Sequence, residues 1–376
     1  MVTPLSTELL ERIRARANAL DDANEFFYAD LADLRESGYL RALVPSELGG
    51  LGLSLRDVSR EQRRLAGAAP ATALGVNMHL IWTGVALTLL RRGDVSLEFV
   101  LREAAAGELF AFGISERGND RMLFDSTTVA EPDADGGFRF SGTKIFTSLS
   151  PAWTRLGVHG LDSGGVGVPQ LVFGFLERGT DGISVLDDWD SLGMRATHSN
   201  STRLDGARVR ADRVVRRVVP GPSTDELQWA IFVVFELLLA SVYAGIGDRA
   251  IEVAVETATK RGRSDEPVVR ARIADAAMAL DGVHLALDAI ARDLHDGVEA
   301  APSWFRQLSG LKVRSVAAAR AAVDEAIAVS GGSAFSASSE LSRLYRDVLA
   351  GVFQPSSTDS ARETVARDLL GPILSQ

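Results

Sequence analysis

The residues that could do chemistry are few, and the most unusual is one glutamate inside a long apolar run. Glu236 stands near the centre of the stretch from Trp229 to Gly247, whose other residues are apolar or small. A carboxylate in such surroundings loses its hydration unless a partner or a cavity receives it, and burial raises its pKa toward that of a useful general base. Two interpretations remain open: Glu236 is a catalytic base, or it pairs with an arginine from another helix.

Other reactive groups give weaker signals. The chain has no cysteine, which removes disulfides, thiolate catalysis and cysteine-ligated metals. Its five histidines lack metal-ligand spacing, so we predict no metal site and expect each histidine to be packed or at the surface. They are His79, His159, His198, His284 and His295. Neither a GxGxxG nor a GxxxxGK[ST] motif occurs, so nicotinamide- and nucleotide-loop functions have little support.

Charge and hydropathy limit the partners. The formal net charge is −10 and no block dense in lysine and arginine stands out, so we expect no nucleic-acid partner. The run from Trp229 to Gly247 is nearly long enough to span a bilayer, but a charge at its centre would be costly in lipid. We therefore predict a buried helix and no membrane span. The charged, amphipathic first 20 residues lack an apolar signal core, which favours a cytoplasmic location.

The pattern along the chain predicts three regions. Apolar residues recur at helical spacing over residues 1–108, interrupted by a turn with proline and glycines at 44–54. Short alternating runs separated by Gly, Asp and Pro over 109–219 are typical of antiparallel strands. Helical spacing returns over 220–376, after a boundary at 220–226. The fold class is therefore α+β and mostly α.

Five local motifs, in order, resemble the acyl-CoA dehydrogenase superfamily across nearly the whole chain. They are the turn PSELGGLG (45–52), the strand end FGISERG (112–118), the hairpin GFRFSGTKIFTS (137–148), the strand start LGMRAT (192–197), and the pair GG (331–332) with RLYRD (343–347). The resemblance implies an N-terminal helical domain, a middle antiparallel β-barrel domain and a C-terminal four-helix bundle. It also implies a homodimer or homotetramer.

The same resemblance implies a flavin cofactor, FAD in most relatives. A flavin needs polar groups at its pyrimidine edge and a flat apolar wall against its ring. The family pattern places the Ile114 backbone and the Ser115 hydroxyl at the pyrimidine edge, and Phe146 and Ser148 over the ring and its N5 side. The remaining implied cofactor contacts are Asn119, Arg261, Gly331 and Gly332.

Three departures from the family pattern bear on the cofactor and the reaction. The phosphate-binding stretch is shortened to Arg117–Asp120, and the stretch Arg261–Asp265 lacks the family's Phe-Gly pair. FMN, or a diffusible reduced flavin, is therefore an alternative to FAD. The usual catalytic glutamate falls at Pro355, which cannot take a proton. Some relatives place the base at the position of Phe235, the neighbour of Glu236, and one residue of helix is a rotation of about 100°.

Three functions remain open. The first is α,β-dehydrogenation of an acyl thioester or related activated carbonyl, with Glu236 as the base and an electron-acceptor flavoprotein as partner. The second is a monooxygenase of the same fold, which uses reduced flavin from a flavin reductase, O2 and a small-molecule substrate. The third is a catalytically silent flavin-binding relative. Arg195 and His198 could meet an anionic group of a substrate, but surface placement is favoured.

Overall fold

The computed structural model describes residues 3–119, 122–164, 167–221, 223, 225–297, 301 and 303–372. Asp120 of the shortened stretch, and residues 222 and 224 of the boundary at 220–226, lie outside the described residues. The described residues form helices, then a sheet, then helices, in the order that the sequence predicts.

The N-terminal helices surround one buried apolar helix. They are α1 (Thr7–Ala23), α2 (Tyr28–Glu36), α3 (Leu55–Ala68), α4 (Pro70–Arg91) and α5 (Glu98–Ala105). Helix α3 begins with a capping box, in which Ser54 and Asp57 satisfy each other's backbone N–H groups. Helix α4 begins at Pro70, where a missing N–H costs nothing. Nearly all of α4 is buried, because the neighbouring helices and the sheet cover it on every side.

Eight strands form one sheet in the middle of the chain. They are β1 (Phe110–Gly113), β2 (Val129–Pro132), β3 (Phe138–Lys144), β4 (Arg155–Asp162), β5 (Gln170–Glu177), β6 (Ile183–Val185), β7 (Thr202–Val209) and β8 (Val214–Val218). The order is β6-β7-β3-β2-β4-β5-β8, and β1 pairs with β4. The sheet is mixed rather than wholly antiparallel, because β4 pairs in parallel with both β1 and β2. Alternation of residue types along a strand carries no information on the direction of its neighbour.

The described residues of the C-terminal region form three long helices and two short ones. They are α6 (Glu226–Lys260), α7 (Pro267–His295), α8 (Ser303–Ser330), α9 (Glu340–Val348) and α10 (Thr358–Leu370). The Asp225 side chain caps α6 by accepting hydrogen bonds from the backbone N–H groups of Leu227 and Gln228.

Within the described part of the chain, two helices, α4 and α6, are long and apolar enough to cross a membrane, and both are core helices. Of the most apolar stretch of each, 94% and 89% is buried inside the protein. The aromatic pair Phe112 and Phe235, with ring centroids 5.4 Å apart, joins the sheet to α6. The predicted burial of the Trp229–Gly247 run is confirmed, and the fold is the mostly α, α+β fold that the sequence predicts.

Candidate active site

A cleft of about 520 Å³ opens where the sheet meets helices α4 and α6 and the segment after α9. This volume is typical of pockets that hold cofactors and small substrates. One side, here called the polar wall, carries hydroxyl groups from the loops of the sheet: Ser115, Ser148, Thr197, Ser199 and Ser201. A second part of the lining, here called the apolar wall, consists of Leu74, Met78, Phe235, Leu239, Leu349, Ala350 and Phe353.

The polar wall is built from two loops in unusual backbone conformations. Phe146 and Leu149 follow β3, Met194 and His198 precede β7, and all four have φ between 41° and 67°. Residues other than glycine rarely adopt this left-handed region, and such strain concentrates at functional sites. Backbone hydrogen bonds hold the loops together: Thr147 N–H donates to the Asn200 carbonyl over 3.2 Å, and Leu149 N–H donates to the Thr197 carbonyl over 3.1 Å.

Three buried hydroxyls of this wall form a hydrogen-bonded chain with a definite direction. The Thr197 hydroxyl donates to the Met194 carbonyl over 2.8 Å, so it accepts from the Ser199 hydroxyl, 2.7 Å away. The Ser199 oxygen in turn accepts from the Ser148 hydroxyl, also over 2.7 Å. Since each hydroxyl has one proton to give, the Ser148 oxygen keeps its acceptor capacity for a group in the cleft. The chain therefore presents a hydrogen-bond acceptor at Ser148.

The loop after β1 brings two further predicted residues to the cleft. Ser115 lines the cleft, and its carbonyl accepts a hydrogen bond from Ile145 N–H over 2.9 Å. Ile114 is fully buried beside it. Asn119 also lines the cleft, but its amide donates to the Glu116 carboxylate over 2.9 Å. The Asn119 side chain is therefore committed, at least in part, to its own loop.

A buried ion pair fixes this loop. Lys144 Nζ donates to Glu116 Oε1 over 2.6 Å, and both side chains are excluded from solvent. Glu116 also accepts hydrogen bonds from Thr127 N–H over 2.7 Å and from the Thr128 hydroxyl over 2.6 Å. Although burial opposes this, the Lys144 charge and these hydrogen bonds hold the pKa of Glu116 well below its usual range. Burial lowers the pKa of Lys144 to about 8, while the Glu116 charge opposes the change.

Aromatic side chains form the entrance to the cleft. The Phe146 ring lies 5.8 Å from the Phe353 ring at an interplanar angle of 33°, and 6.2 Å from the Trp189 ring at 87°. Phe146 and Phe353 are exposed to solvent at 44% and 59%. Large exposed aromatic surfaces beside a cavity are typical of a site that takes a flat ring.

Glu236 does not line the cleft. Phe235 and Leu239, on the same helix, face the cleft, and Glu236 points instead toward α8 and the segment after α9. Its Oε1 accepts a hydrogen bond from the Ser356 hydroxyl over 2.7 Å, and the neighbouring cation is Lys312 rather than an arginine. Burial raises the pKa of Glu236 to about 7, against the opposing effects of Ser356 and Lys312. Because Glu236 is one residue of helix beyond Phe235, its carboxylate lies outside the lining of the cleft, and its predicted role as a base stays a prediction.

Pro355 does line the cleft, so the site of the family's usual glutamate carries a side chain that cannot accept a proton. Among the described residues, the other carboxylates of the lining are committed or at the rim. Glu116 is the partner of Lys144, Asp188 accepts from Ser201 N–H over 2.8 Å, and Asp190 is exposed beside Arg195.

The structure places Arg261, Gly331 and Gly332 together, away from the cleft. Arg261 ends α6, and its guanidinium donates to the Ser330 carbonyl and to the Ser333 hydroxyl, each over 2.7 Å. Gly331 begins the turn after α8 with φ at 64°. These three residues do not meet the cleft residues within one chain, so their predicted role at a flavin stays a prediction for an oligomer.

The RLYRD and LGMRAT motifs meet each other at the edge of the cleft. Asp347 accepts a hydrogen bond from Met194 N–H over 2.6 Å, and Arg346 donates to the Leu192 carbonyl over 3.1 Å. Gly193 is required here, because a Cβ on it would lie 2.2 Å from the Arg346 carbonyl oxygen. Arg195 donates to the Asp21 carbonyl over 2.9 Å, so it ties the cleft loop to α1.

Sequence reasoning missed several lining residues. Thr197 ends the LGMRAT motif but had no predicted role, and Ser199 lies in the loop that follows the short 3-10 turn of Arg195–Thr197. Trp189 and Phe353 reach the cleft from segments with no regular pattern. Among the described residues, no group of three or more His, Asp or Glu side chains could hold a metal ion.

Comparisons with known proteins agree with this geometry. The family model described as "Acyl-CoA dehydrogenase, C-terminal domain" matches residues 237–353. The chain is 32% identical to L-evernosamine nitrososynthase of a Micromonospora species, over 98% of this chain and 90% of that protein. It is also 32% identical to the amino sugar nitrososynthase DnmZ of Streptomyces peucetius, over 93% of this chain and 90% of that one.

Among solved structures, KijD3 in complex with FMN and dTDP-3-amino-2,3,6-trideoxy-4-keto-3-methyl-D-glucose is 29% identical. The two structures superpose with a TM-score of 0.81, over 97% of this chain and 91% of KijD3.

The chain therefore belongs to the acyl-CoA dehydrogenase superfamily, and it is a flavin-dependent oxidoreductase of that class. Within the superfamily, these relatives are enzymes that oxidise nitrogen rather than dehydrogenases. The comparisons thus favour the alternative, monooxygenase function over dehydrogenation, which was the first prediction.

Proposed function

We propose that this protein is a flavin-dependent monooxygenase that oxidises the amino group of a small molecule, using reduced FMN and O2. The proposal rests on the part of the cleft wall where the catalytic base of the family usually lies. Pro355 occupies that position, and the one alternative carboxylate, Glu236, is directed behind the wall. Removal of an α-proton from an acyl thioester requires a carboxylate that faces the substrate.

Oxidation of an amine places different demands on the protein. The nitrogen lone pair is the nucleophile, so no carbon-bound proton has to be removed. The balanced reaction converts R–NH2, O2 and two reducing equivalents from the flavin into R–NHOH and water. A second round converts R–NHOH, O2 and two further equivalents into R–N=O and two waters. When bound, the flavin supplies the two electrons and activates O2.

The walls of the cleft suit this chemistry. The Ser148 oxygen offers a hydrogen-bond acceptor, and the N5 position of a reduced flavin carries an N–H donor, whereas N5 of an oxidised flavin does not. Phe235 and Leu239 of the apolar wall offer water no hydrogen-bond partner, which helps to protect a reactive site from wasteful side reactions. The polar wall therefore serves the cofactor, and the apolar wall serves the substrate.

The relatives support the finer choices. KijD3 binds FMN together with a nucleotide-linked amino sugar, and the named sequence relatives are nitrososynthases of amino sugars. FMN also fits the shortened stretch at Arg117 and the loss of the Phe-Gly pair, which leave less protein for an adenosine end. We further propose that a separate flavin reductase supplies the reduced flavin, and that the enzyme is a cytoplasmic homo-oligomer.

The test is turnover with an external source of reduced FMN, here a flavin reductase with NADH. The purified protein is offered a dTDP-linked amino sugar, a short alkylamine and butyryl-CoA, and the products are identified by mass spectrometry. We expect the amine product to be heavier by one oxygen, or by one oxygen less two hydrogens after the second round. Desaturation of butyryl-CoA without oxygenation of an amine would overturn the proposal in favour of dehydrogenation, and flavin binding without any product would indicate a catalytically silent relative.

Two serine variants sharpen this test. Ser148→Ala removes the acceptor in the cleft, and loss of one hydrogen bond lowers kcat/KM for the amine roughly tenfold. Ser241→Ala is the matched control, because Ser241 is equally buried and bonds to the Ser59 hydroxyl over 2.7 Å, but does not line the cleft. Equal losses of kcat/KM in the two variants would show that the Ser148 hydroxyl has no specific role in the reaction.

A further inference from the structure

One lysine holds the segment of the apolar wall that replaces the family's base. The segment of residues 349–356, here called the wall segment, presents Leu349, Phe353 and Pro355 to the cleft. Behind it, the fully buried Lys312 of α8 donates three hydrogen bonds to backbone carbonyls of this one segment. The acceptors are Gly351 at 2.7 Å, Gln354 at 2.6 Å and Ser356 at 2.8 Å.

These three bonds use the whole donor capacity of the ammonium group, which has three N–H donors and no acceptor. Glu236 therefore takes its hydrogen bond from the Ser356 hydroxyl over 2.7 Å instead of from Lys312, and acts on Lys312 through its charge. Its second oxygen, Oε2, is buried and has no hydrogen-bond partner within the described part of the chain. Lys312 therefore makes the hydrogen bonds to the wall segment, and Glu236 supplies the negative charge that balances the ammonium group.

Apart from Lys312, few groups fix the backbone of the wall segment. It is one turn of 3-10 helix, Leu349–Val352, followed by turns without regular backbone pairing. Gly351 packs so closely that a Cβ on it would lie 2.7 Å from Val316 and 2.9 Å from Tyr243. The Tyr243 hydroxyl donates to the Gln354 side chain over 2.6 Å. The segment therefore depends on groups of α6 and α8 behind it.

We propose that Lys312 is a positioning residue that sets the shape of the apolar wall and thereby the fit of the substrate, with Glu236 as its counter-charge. The identity of that substrate rests on the proposed function, but the positioning itself does not. Lys312 does not line the cleft and touches no reacting atom. Its loss should change the binding of the substrate and leave the polar wall, where the cofactor binds, as it is.

The experiment compares Lys312→Met with the double variant Lys312→Met/Glu236→Gln. The single variant removes the three hydrogen bonds and also leaves Glu236 as a buried carboxylate without its cation. The double variant removes that unpaired charge, and so keeps the fold, but does not restore the hydrogen bonds. If Lys312 only balances charge, the double variant should behave like the wild type; if it positions the wall segment, it should not.

Two readouts separate these outcomes. In the double variant we expect amide hydrogen exchange at 349–356 to be at least tenfold faster than in the wild type, with β5 unchanged. We also expect KM for the amine to rise at least fivefold, with kcat and the affinity for FMN within twofold of the wild type. Wild-type exchange at 349–356, equal acceleration in β5, or a parallel loss of FMN affinity would overturn the proposal.

The result is distinguishable from a failure of the proposed function. Hydrogen exchange and FMN titration require no turnover, so they decide the role of Lys312 even if no amine is oxidised. Conversely, oxygenation of an amine by a double variant with wild-type exchange would support the proposed function and reject the positioning role.

Discussion

Two buried lysine–glutamate pairs support different parts of the cleft, and they work in different ways. Behind the polar wall, Lys144 contacts Glu116 directly at 2.6 Å. Behind the apolar wall, Lys312 gives its three donors to backbone carbonyls, and Glu236 accepts from Ser356. In the first pair, the Glu116 carboxylate holds the loop after β1 through its hydrogen bonds. In the second pair, the Lys312 ammonium holds the wall segment.

The difference shows in the protonation of the two carboxylates. The pKa of Glu116 lies well below its usual range, whereas burial raises the pKa of Glu236 to about 7. Each has a lysine nearby, so a neighbouring cation alone does not decide the direction. Glu116 accepts hydrogen bonds at both oxygens from the backbone and from side chains, while Glu236 accepts from one hydroxyl and keeps Oε2 unpaired. Hydrogen-bond donors stabilise the charged form of a carboxylate and so offset the cost of burying it.

This contrast bears on function. The loop with Ser115 is held by a carboxylate whose pKa lies well below its usual range, which suits the wall where we propose that the cofactor binds. The wall segment is held by Lys312, and burial raises the pKa of its counter-charge, Glu236, to about 7. A carboxylate with a raised pKa at a cleft would ordinarily indicate a catalytic base. Here the direction of the Glu236 side chain, toward Ser356, argues for a structural role.

The largest effect is expected for Glu116→Gln. The carboxamide must turn its N–H2 group either toward the Thr127 N–H or toward the donors of Thr128 and Lys144, and Lys144 loses its counter-charge. We expect the free energy of unfolding at pH 7 to fall by about 3–5 kcal/mol, as for other broken buried ion pairs. Urea denaturation followed by circular dichroism measures it. A loss below about 1 kcal/mol would contradict the difference drawn between the two pairs.

A smaller, pH-dependent effect is expected for Glu236→Gln, which is the matched substitution in the other pair. The folded-state pKa of Glu236 is raised from 4.5 to about 7, so its contribution to stability is complete below pH 4.5 and is lost as the pH rises through 7. The glutamine variant does not titrate. We therefore expect it to gain about 1–3 kcal/mol relative to the wild type between pH 5 and 7.5.

Glu116→Gln provides the control for this pH series. The folded-state pKa of Glu116 is lowered, so its contribution is present at all pH values above 4.5 and is lost only at lower pH. The Glu116 carboxylate itself therefore adds no pH dependence to this difference between pH 5 and 7.5, and any slope reports Lys144, whose pKa falls further when its counter-charge is removed. A Glu236→Gln difference that stays constant over the same range would contradict the raised pKa of Glu236.

Much of the fold could be predicted from the sequence, because helical and strand spacing are local signals. The order of helices, sheet and helices follows from them, and so does the burial of α6. The parallel pairing of β1 and β2 with β4 could not be predicted, since it is set by the path of the chain between strands. Strand spacing describes one strand at a time.

The residues of the active site could be predicted only in part, and individual residues show the physical reasons. Ser115, Phe146 and Ser148 lie in motifs of fixed spacing, and the structure brings all three to the cleft. The direction of Glu236 depends on a rotation of about 100° per residue, which no sequence pattern fixes. Thr197 completes the hydroxyl chain through the left-handed backbone of Met194 and His198, and such conformations leave no trace in the residue types.

The measurement that tests the proposed function most directly is the source of the oxygen in the product. With the amine, reduced FMN and ¹⁸O2 in ordinary water, we predict one ¹⁸O atom in the hydroxylamine or nitroso product for every molecule formed. Unlabelled oxygen in the product would contradict the proposed function. Oxidation of an acyl thioester by an artificial electron acceptor in the absence of O2 would also contradict it and would identify the protein as a dehydrogenase.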